Sequence, residues 1–133
     1  MKAIADTGFL VAFANRRDRY HNWAVALAEQ VTEPLLTCEP VLAEAAFHLQ
    51  NAWLVLVMVS EGLIRPALNV TDELPHLLDL AHRYRDRSPD LADLCVIRMS
   101  ELYPAYSVIT VDVTDFRVYR RNKRERIPLI SPE

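Results

Sequence analysis

Residues 3–15 read Ala3-Ile4-Ala5-Asp6-Thr7-Gly8-Phe9-Leu10-Val11-Ala12-Phe13-Ala14-Asn15. The run Ala3-Ile4-Ala5 is apolar without alternation, which predicts a short strand buried on both faces. It closes on Asp6, and the apolar stretch 7–15 that follows predicts a helix. A strand that passes through one acidic residue into a helix is a natural opening unit for an α/β chain.

The rest of the chain repeats that alternation. Residues 35–37 and 107–111 predict further short strands, the second ending at Asp112, and 127–130 predict a last one. Residues 63–69 predict a strand that Pro66 confines to a sheet edge or an irregular course. Helical spacing marks 21–31 and 39–50, the latter with Pro40 in its first turn. Residues 52–60 predict a helix that is apolar all round and stops at Gly62. Thr71 predicts the N-cap of a helix with Leu74, Leu77, Leu78 and Ala81 on one face. Ser88-Pro89 predicts the start of another, with Ser88 as N-cap, running to Leu102. No repeat, low-complexity segment or linker interrupts 1–133, so a single α/β domain with a central, mostly parallel sheet is expected. Sites in such sheets lie beyond the carboxyl ends of the strands, where this reading puts Asp6 and Asp112.

At 133 residues the chain can bury one real core, and its 51% apolar and 25% charged residues exclude a disordered polymer. Only 2 glycines are present, which excludes Gly-rich phosphate loops and the dinucleotide fingerprint. Cys38 and Cys95 form no C-x-x-C pair, and His21, His48, His76 and His82 lack zinc-site spacing, which argues against a cysteine-ligated zinc. Asp6 interrupts the opening before any long apolar run, so no signal peptide is expected. The longest apolar run, 52–59, is far short of the roughly 20 residues that span a bilayer. A cytoplasmic protein without membrane attachment is expected. The net charge of −3 is unevenly spread: Arg117, Arg120, Arg121, Lys123, Arg124 and Arg126 stand against Glu125 alone, leaving 9 basic and 17 acidic residues elsewhere. An acidic body thus carries a basic segment, which is either a solvated loop or a contact for a polyanion.

Each acidic candidate has a structural and a chemical reading. Asp6 and Asp112 can each cap the helix after their strand, but two carboxylates at one sheet edge repel unless a cation or a proton compensates. Asp90 and Asp93 share a helix face. Asp90 suits the helix dipole, whereas Asp93 borders the apolar stretch Leu94-Cys95-Val96-Ile97, an unusual place for a charge. Glu44 lies off the centre of the stripe formed by Val41, Leu42, Ala45, Ala46 and Leu49, so periodicity alone leaves it open to solvent. Asp115 is either a turn residue before Phe116 or a functional acid.

In order along the chain, these residues fall into four short motifs. The opening Met1 to Asn15 (…IADTGFLVAFAN), with Asp18-Arg19-Tyr20-His21 after it, resembles the start of a PIN domain, especially of the VapC-type toxin nucleases. Thr37-Cys38-Glu39-Pro40-Val41-Leu42-Ala43-Glu44-Ala45 is similar to the helix that carries the family's second acid, at Glu44. Asp90-Leu91-Ala92-Asp93 resembles its third acidic motif, with Asp93 the better match. Ile109-Thr110-Val111-Asp112-Val113-Thr114-Asp115-Phe116 resembles its T-x-D-x-x-x-F ending, with Asp112 as fourth acid and Asp115 as an accessory one.

The resemblance covers nearly the whole chain and implies a three-layer PIN-like fold, a central mostly parallel sheet flanked by helices. It implies a metal-dependent endoribonuclease, a hydrolase of RNA phosphodiester bonds, and the toxin of a type II toxin–antitoxin pair with a cognate antitoxin. Asp6, Glu44, Asp93 and Asp112 would be its catalytic carboxylates, holding Mg²⁺ or Mn²⁺, with Asp90 and Asp115 accessory. Oxygen-rich sites suit such hard cations. Thr7 and Thr110 are candidates for hydrogen bonds to those ligands, or for bonds to local backbone. Arg117, Arg120, Arg121, Lys123 and Arg124 would help an acidic site draw in RNA. The all-round apolar helix at 52–59 predicts burial against a second copy in a homodimer, or against the antitoxin, unless it is buried within the domain.

Two other functions fit parts of the sequence. A non-catalytic PIN-like module that binds RNA or protein shares the fold, but retention of all four acids argues against it. A phosphatase with an aspartate nucleophile wants D-x-D after the first strand, where this chain has Asp6-Thr7-Gly8.

Overall fold

The computed structural model describes residues 1–132. Its first half runs β1 (Ala3–Ala5), α1 (Thr7–Ala14), α2 (His21–Ala28), β2 (Leu35–Thr37), α3 (Glu39–Leu49), α4 (Ala52–Ser60) and β3 (Ile64–Pro66). The second half runs α5 (Leu74–Arg83), α6 (Leu91–Leu102), β4 (Ser107–Ile109), α7 (Val113–Val118), β5 (Arg120–Arg121), β6 (Glu125–Arg126) and β7 (Leu129–Ile130). Five parallel strands form one sheet in the order β3-β2-β1-β4-β7, and the α-helices flank it in an α/β architecture.

β1 is the centre of that sheet because its side chains tolerate burial on both faces. Ile4 pairs with Leu36 on one side and with Val108 on the other. The hydroxyl of the buried Thr37 donates to the Ala5 carbonyl at 3.1 Å, so the polar end of β2 is satisfied inside the sheet. Phe9 and Leu10 of α1, Ile97 and Met99 of α6, and Phe116 and Tyr119 from in and beside α7 are fully buried. The chain runs outward from β1 through β2 to the edge strand β3, then crosses back to lay β4 along β1's free side. The switch point of the sheet therefore lies between the carboxyl ends of β1 and β4.

Pro66 does sit on an edge strand. Elsewhere the structure corrects the expected boundaries. α5 starts at Leu74 rather than after a Thr71 cap: Asn69 Oδ1 accepts the Asp72 N–H at 3.1 Å in a preceding turn, and Pro75 takes the first helical turn. Leu77 and Leu80 bury its apolar side, while Leu74 and Leu78 are exposed. Ser88 is not the cap of α6 but a left-handed residue (φ 48°) that ends a 3₁₀ turn at Arg85–Arg87; Asp90 caps the helix instead. The basic segment 117–126 is not a solvated loop: it ends a short helix, α7, and forms a β-hairpin, β5 against β6. Burial within the domain does not absorb α4: Val55 and Met58 face the core, but Trp53 and Leu56 remain 72% and 62% exposed. Among the described residues no helix is long and apolar enough to cross a membrane.

Candidate functional site

Asp6 leaves β1 at the switch point. It occupies the N-cap position of α1, yet its side chain makes no capping hydrogen bond. Its carboxylate accepts instead from Thr110 Oγ1 at 2.8 Å, and the same hydroxyl accepts the Asp112 N–H at 2.9 Å. One threonine thus ties the end of β1 to the segment after β4. Asp6 is only 5% exposed, and burial pushes its carboxyl up to about 6; the Thr110 bond and the Thr7 backbone pull against this, while Asp112 and Asp90 add to it.

Glu44 is half-buried on α3, not open to solvent, and Thr7 Oγ1 donates to its Oε1 at 3.5 Å. Burial raises its carboxyl, Asp90 raises it further, and His48 opposes. Asp93, half-buried on α6, is pushed up to about 7 by burial, then by Asp90 and Asp6; the Tyr119 hydroxyl donates to its Oδ2 at 3.3 Å and pulls the other way. Asp112 is raised by burial first, and its Oδ1 accepts the Asp115 N–H at 3.4 Å as the cap of α7. All four line one cavity of about 650 Å³.

The accessory acids line the same cavity but have structural partners. Asp90 Oδ1 accepts the Asp93 N–H at 2.8 Å, capping α6. Asp115 is ion-paired to Arg87 at 2.5 Å. Both threonine hydroxyls donate to carboxylates, and that of Thr110 also accepts a local backbone N–H. The basic segment does not enter this cavity; among its described lining residues the arginine present is Arg87. Arg121 is a structural residue: it is 6% exposed, donates to the carbonyls of Ser100 and Pro104, and pairs with Glu125 at 2.7 Å. A guanidinium so committed is not a surface contact for RNA. Arg117, Lys123 and Arg124 are exposed, and Arg120 is partly so.

Sequence reasoning passed over Tyr119, Arg87 and Gly8. Nothing local marks Tyr119 or Arg87, whose acidic partners lie 26 and 28 residues away. Gly8 had a signal, being one of 2 glycines in the chain and following Asp6-Thr7 directly.

The donors suit a hard divalent cation: carboxylate oxygens from four separate segments, each raised by burial and crowding, in one cavity. As the side chains stand, no three acidic, histidine or cysteine groups among the described residues are gathered closely enough to share one ion. Mutual repulsion of like charges favours that spacing. Comparison with known protein families and with curated proteins returned no match, so the residues and their geometry carry the reading of this site.

Proposed function

We propose that this chain is a metal-dependent endoribonuclease of the PIN-domain kind and the cytoplasmic toxin of a type II toxin–antitoxin pair. The observation that carries the activity is the convergence of Asp6, Glu44, Asp93 and Asp112 on one cavity at the switch point of the sheet, each with its carboxyl raised. A carboxylate set of that kind is short of positive charge. These four would hold Mg²⁺ or Mn²⁺, which when bound activates a water for in-line attack and neutralises charge on the phosphoryl oxygens. Thr110 orients Asp6, Tyr119 orients Asp93, and Thr7 steadies Glu44. Arg87 faces the same cavity from its pair with Asp115 and is placed to meet a phosphate oxygen. The toxin assignment draws on the motif resemblance. The exposed Phe47, Trp53 and Leu56 on α3 and α4 support a partner, either an antitoxin segment or a second copy.

The test is incubation of an RNA panel with Mn²⁺ or Mg²⁺, with and without chelator. Chelator-sensitive cleavage is expected. Asp6→Asn, Glu44→Gln, Asp93→Asn or Asp112→Asn should each lower the rate by roughly 10²-fold or more, because a charged ligand is lost. Asp90→Asn and Asp115→Asn should do less. Activity abolished by Asp90→Asn yet retained by Asp93→Asn would replace Asp93 as the third ligand. A second reading, a non-catalytic PIN-like module for RNA or protein, draws on the spacing of the carboxylates. Absence of both cleavage and Mn²⁺ binding would select it.

A further inference from the structure

α7 borders a second cavity, of about 310 Å³, lined by Phe116, Arg117, Arg120, Arg126, Ile127 and Leu129. Half of the described lining is arginine and none of the described lining is acidic. Partly buried arginines elsewhere are paired: Arg98 with Glu73 and Glu101, Arg121 with Glu125, Arg83 with Asp79. Arg117, Arg120 and Arg126 have no ion pair among the described residues. Arg120 Nη1 is held by the carbonyls of Arg117, Val118 and Tyr119, which fix the guanidinium without neutralising it. Arg120 and Arg126 are also direct partners across the β5–β6 ladder, and like charges so placed destabilise a hairpin. The fold thus concentrates three cations, without an ion pair among the described residues, over an apolar floor of Phe116, Ile127 and Leu129.

We propose that this cavity is a phosphate subsite that grips a phosphodiester of the RNA strand one helix away from the acidic cavity. The two cavities share α7: Asp112 and Asp115 line the first, Phe116 and Arg117 the second. Six helical residues span about 9 Å, so a strand crossing the acidic cavity reaches the arginines within a short run of nucleotides. Planar guanidinium forks match phosphate oxygens in pairs. The choice of RNA as the polyanion rests on the nuclease reading; the anion site itself rests on the arginines.

The test is binding of a fluorescent single-stranded RNA oligonucleotide by the full chain, in chelator, across a range of salt. Each lost phosphate contact lowers the slope of log affinity against log salt by about 0.7 for a single strand, so Arg117→Gln/Arg126→Gln should flatten it by about 1.4. Both residues are exposed, so the variant should fold. Arg117→Lys/Arg126→Lys should keep the slope. Lys123→Gln/Arg124→Gln removes the same charge from the hairpin turn, outside the cavity lining, and should flatten the slope by clearly less than the cavity pair does. An unchanged slope in the Arg117/Arg126 variant, equal flattening by the turn variant, or no RNA binding by wild type each overturns the proposal. Greater flattening by the cavity variant than by the turn variant, in a protein that cleaves no RNA with Mn²⁺, would sink the nuclease reading alone.

Discussion

At the scale of single residues, the site is set by how closely two segments approach. A Cβ on Gly8 would stand 2.3 Å from Val111 Cγ2. Val111 is β-branched and stiff, and it lies between Thr110 and Asp112, so Gly8→Ala must displace the segment that positions both. The expected cost is about 1–3 kcal/mol in stability, with weaker Mn²⁺ binding, and Val111→Ala in the same chain should recover both. Thermal melts and a Mn²⁺ titration read this; a Gly8→Ala protein indistinguishable from wild type would show that the contact yields freely. Thr110→Val tests the other tie. Its hydroxyl pulls the Asp6 carboxyl down against burial, so its loss should raise that carboxyl above about 6. A metal ligand must shed its proton first, so the pH at which Mn²⁺ binding is half lost should move up. A midpoint that stays in place would take Asp6 out of the ligand set.

At the scale of elements, capping sets Asp90 and Asp112, whose side chains hold helix starts, apart from Asp6, which sits at an N-cap without bonding there. Asp90 accepts the Asp93 N–H, so Asp90→Ala should cost about 1 kcal/mol in urea unfolding, while Asp90→Ser, which can also cap, should cost little. Asp6 sits at an N-cap and bonds elsewhere, so its neutralisation carries no such loss. If both serine and alanine at 90 destabilise equally, the cap is not what Asp90 contributes. Such distinctions were only partly legible in the sequence. Unbroken apolar runs marked β1, β2 and β4, and periodicity marked α2 and α3, because burial in a parallel sheet and on a helix face are local properties of composition. The cap of α6 was misplaced because Ser88, Pro89 and Asp90 are all good starters, and only the left-handed φ at Ser88 decides between them. α7 and the hairpin went unread because strong charges mask their short apolar contributions, and Asn122 and Lys123 turn the chain at positive φ without glycine. The four carboxylates singled out by motif and order line one cavity. Glu44 was misjudged as exposed by periodicity because the cavity, a tertiary feature, half-buries it.

At the scale of the whole molecule, the acidic cavity costs fold stability, a cost that the proposed reading sets against metal affinity. Asp6 and Asp93 have carboxyls raised from an ordinary 3.8 to about 6 and about 7. Between the ordinary and the raised values the folded chain holds more protons than the unfolded chain, so stability falls as pH rises through that window and stays low above it. These protons belong to an interacting cluster, so the window, not a site-by-site midpoint, is the expected observable. Removing one charge relieves the penalty. In chelator at pH 8, Asp6→Asn and Asp93→Asn should therefore melt at or above wild type, by on the order of 2 kcal/mol for the more buried Asp6, and the advantage should vanish toward pH 4. A bound divalent cation offsets the same repulsion, so wild type should gain about 2.7 kcal/mol from Mn²⁺ at a hundredfold excess over its dissociation constant, and both variants less. Melts in chelator and in Mn²⁺ at the two pH values decide the matter. Should wild type gain nothing from the metal while both variants melt lower in chelator at pH 8, the carboxylates stabilise the apo fold through their hydrogen bonds, and the cavity loses its claim to a cation.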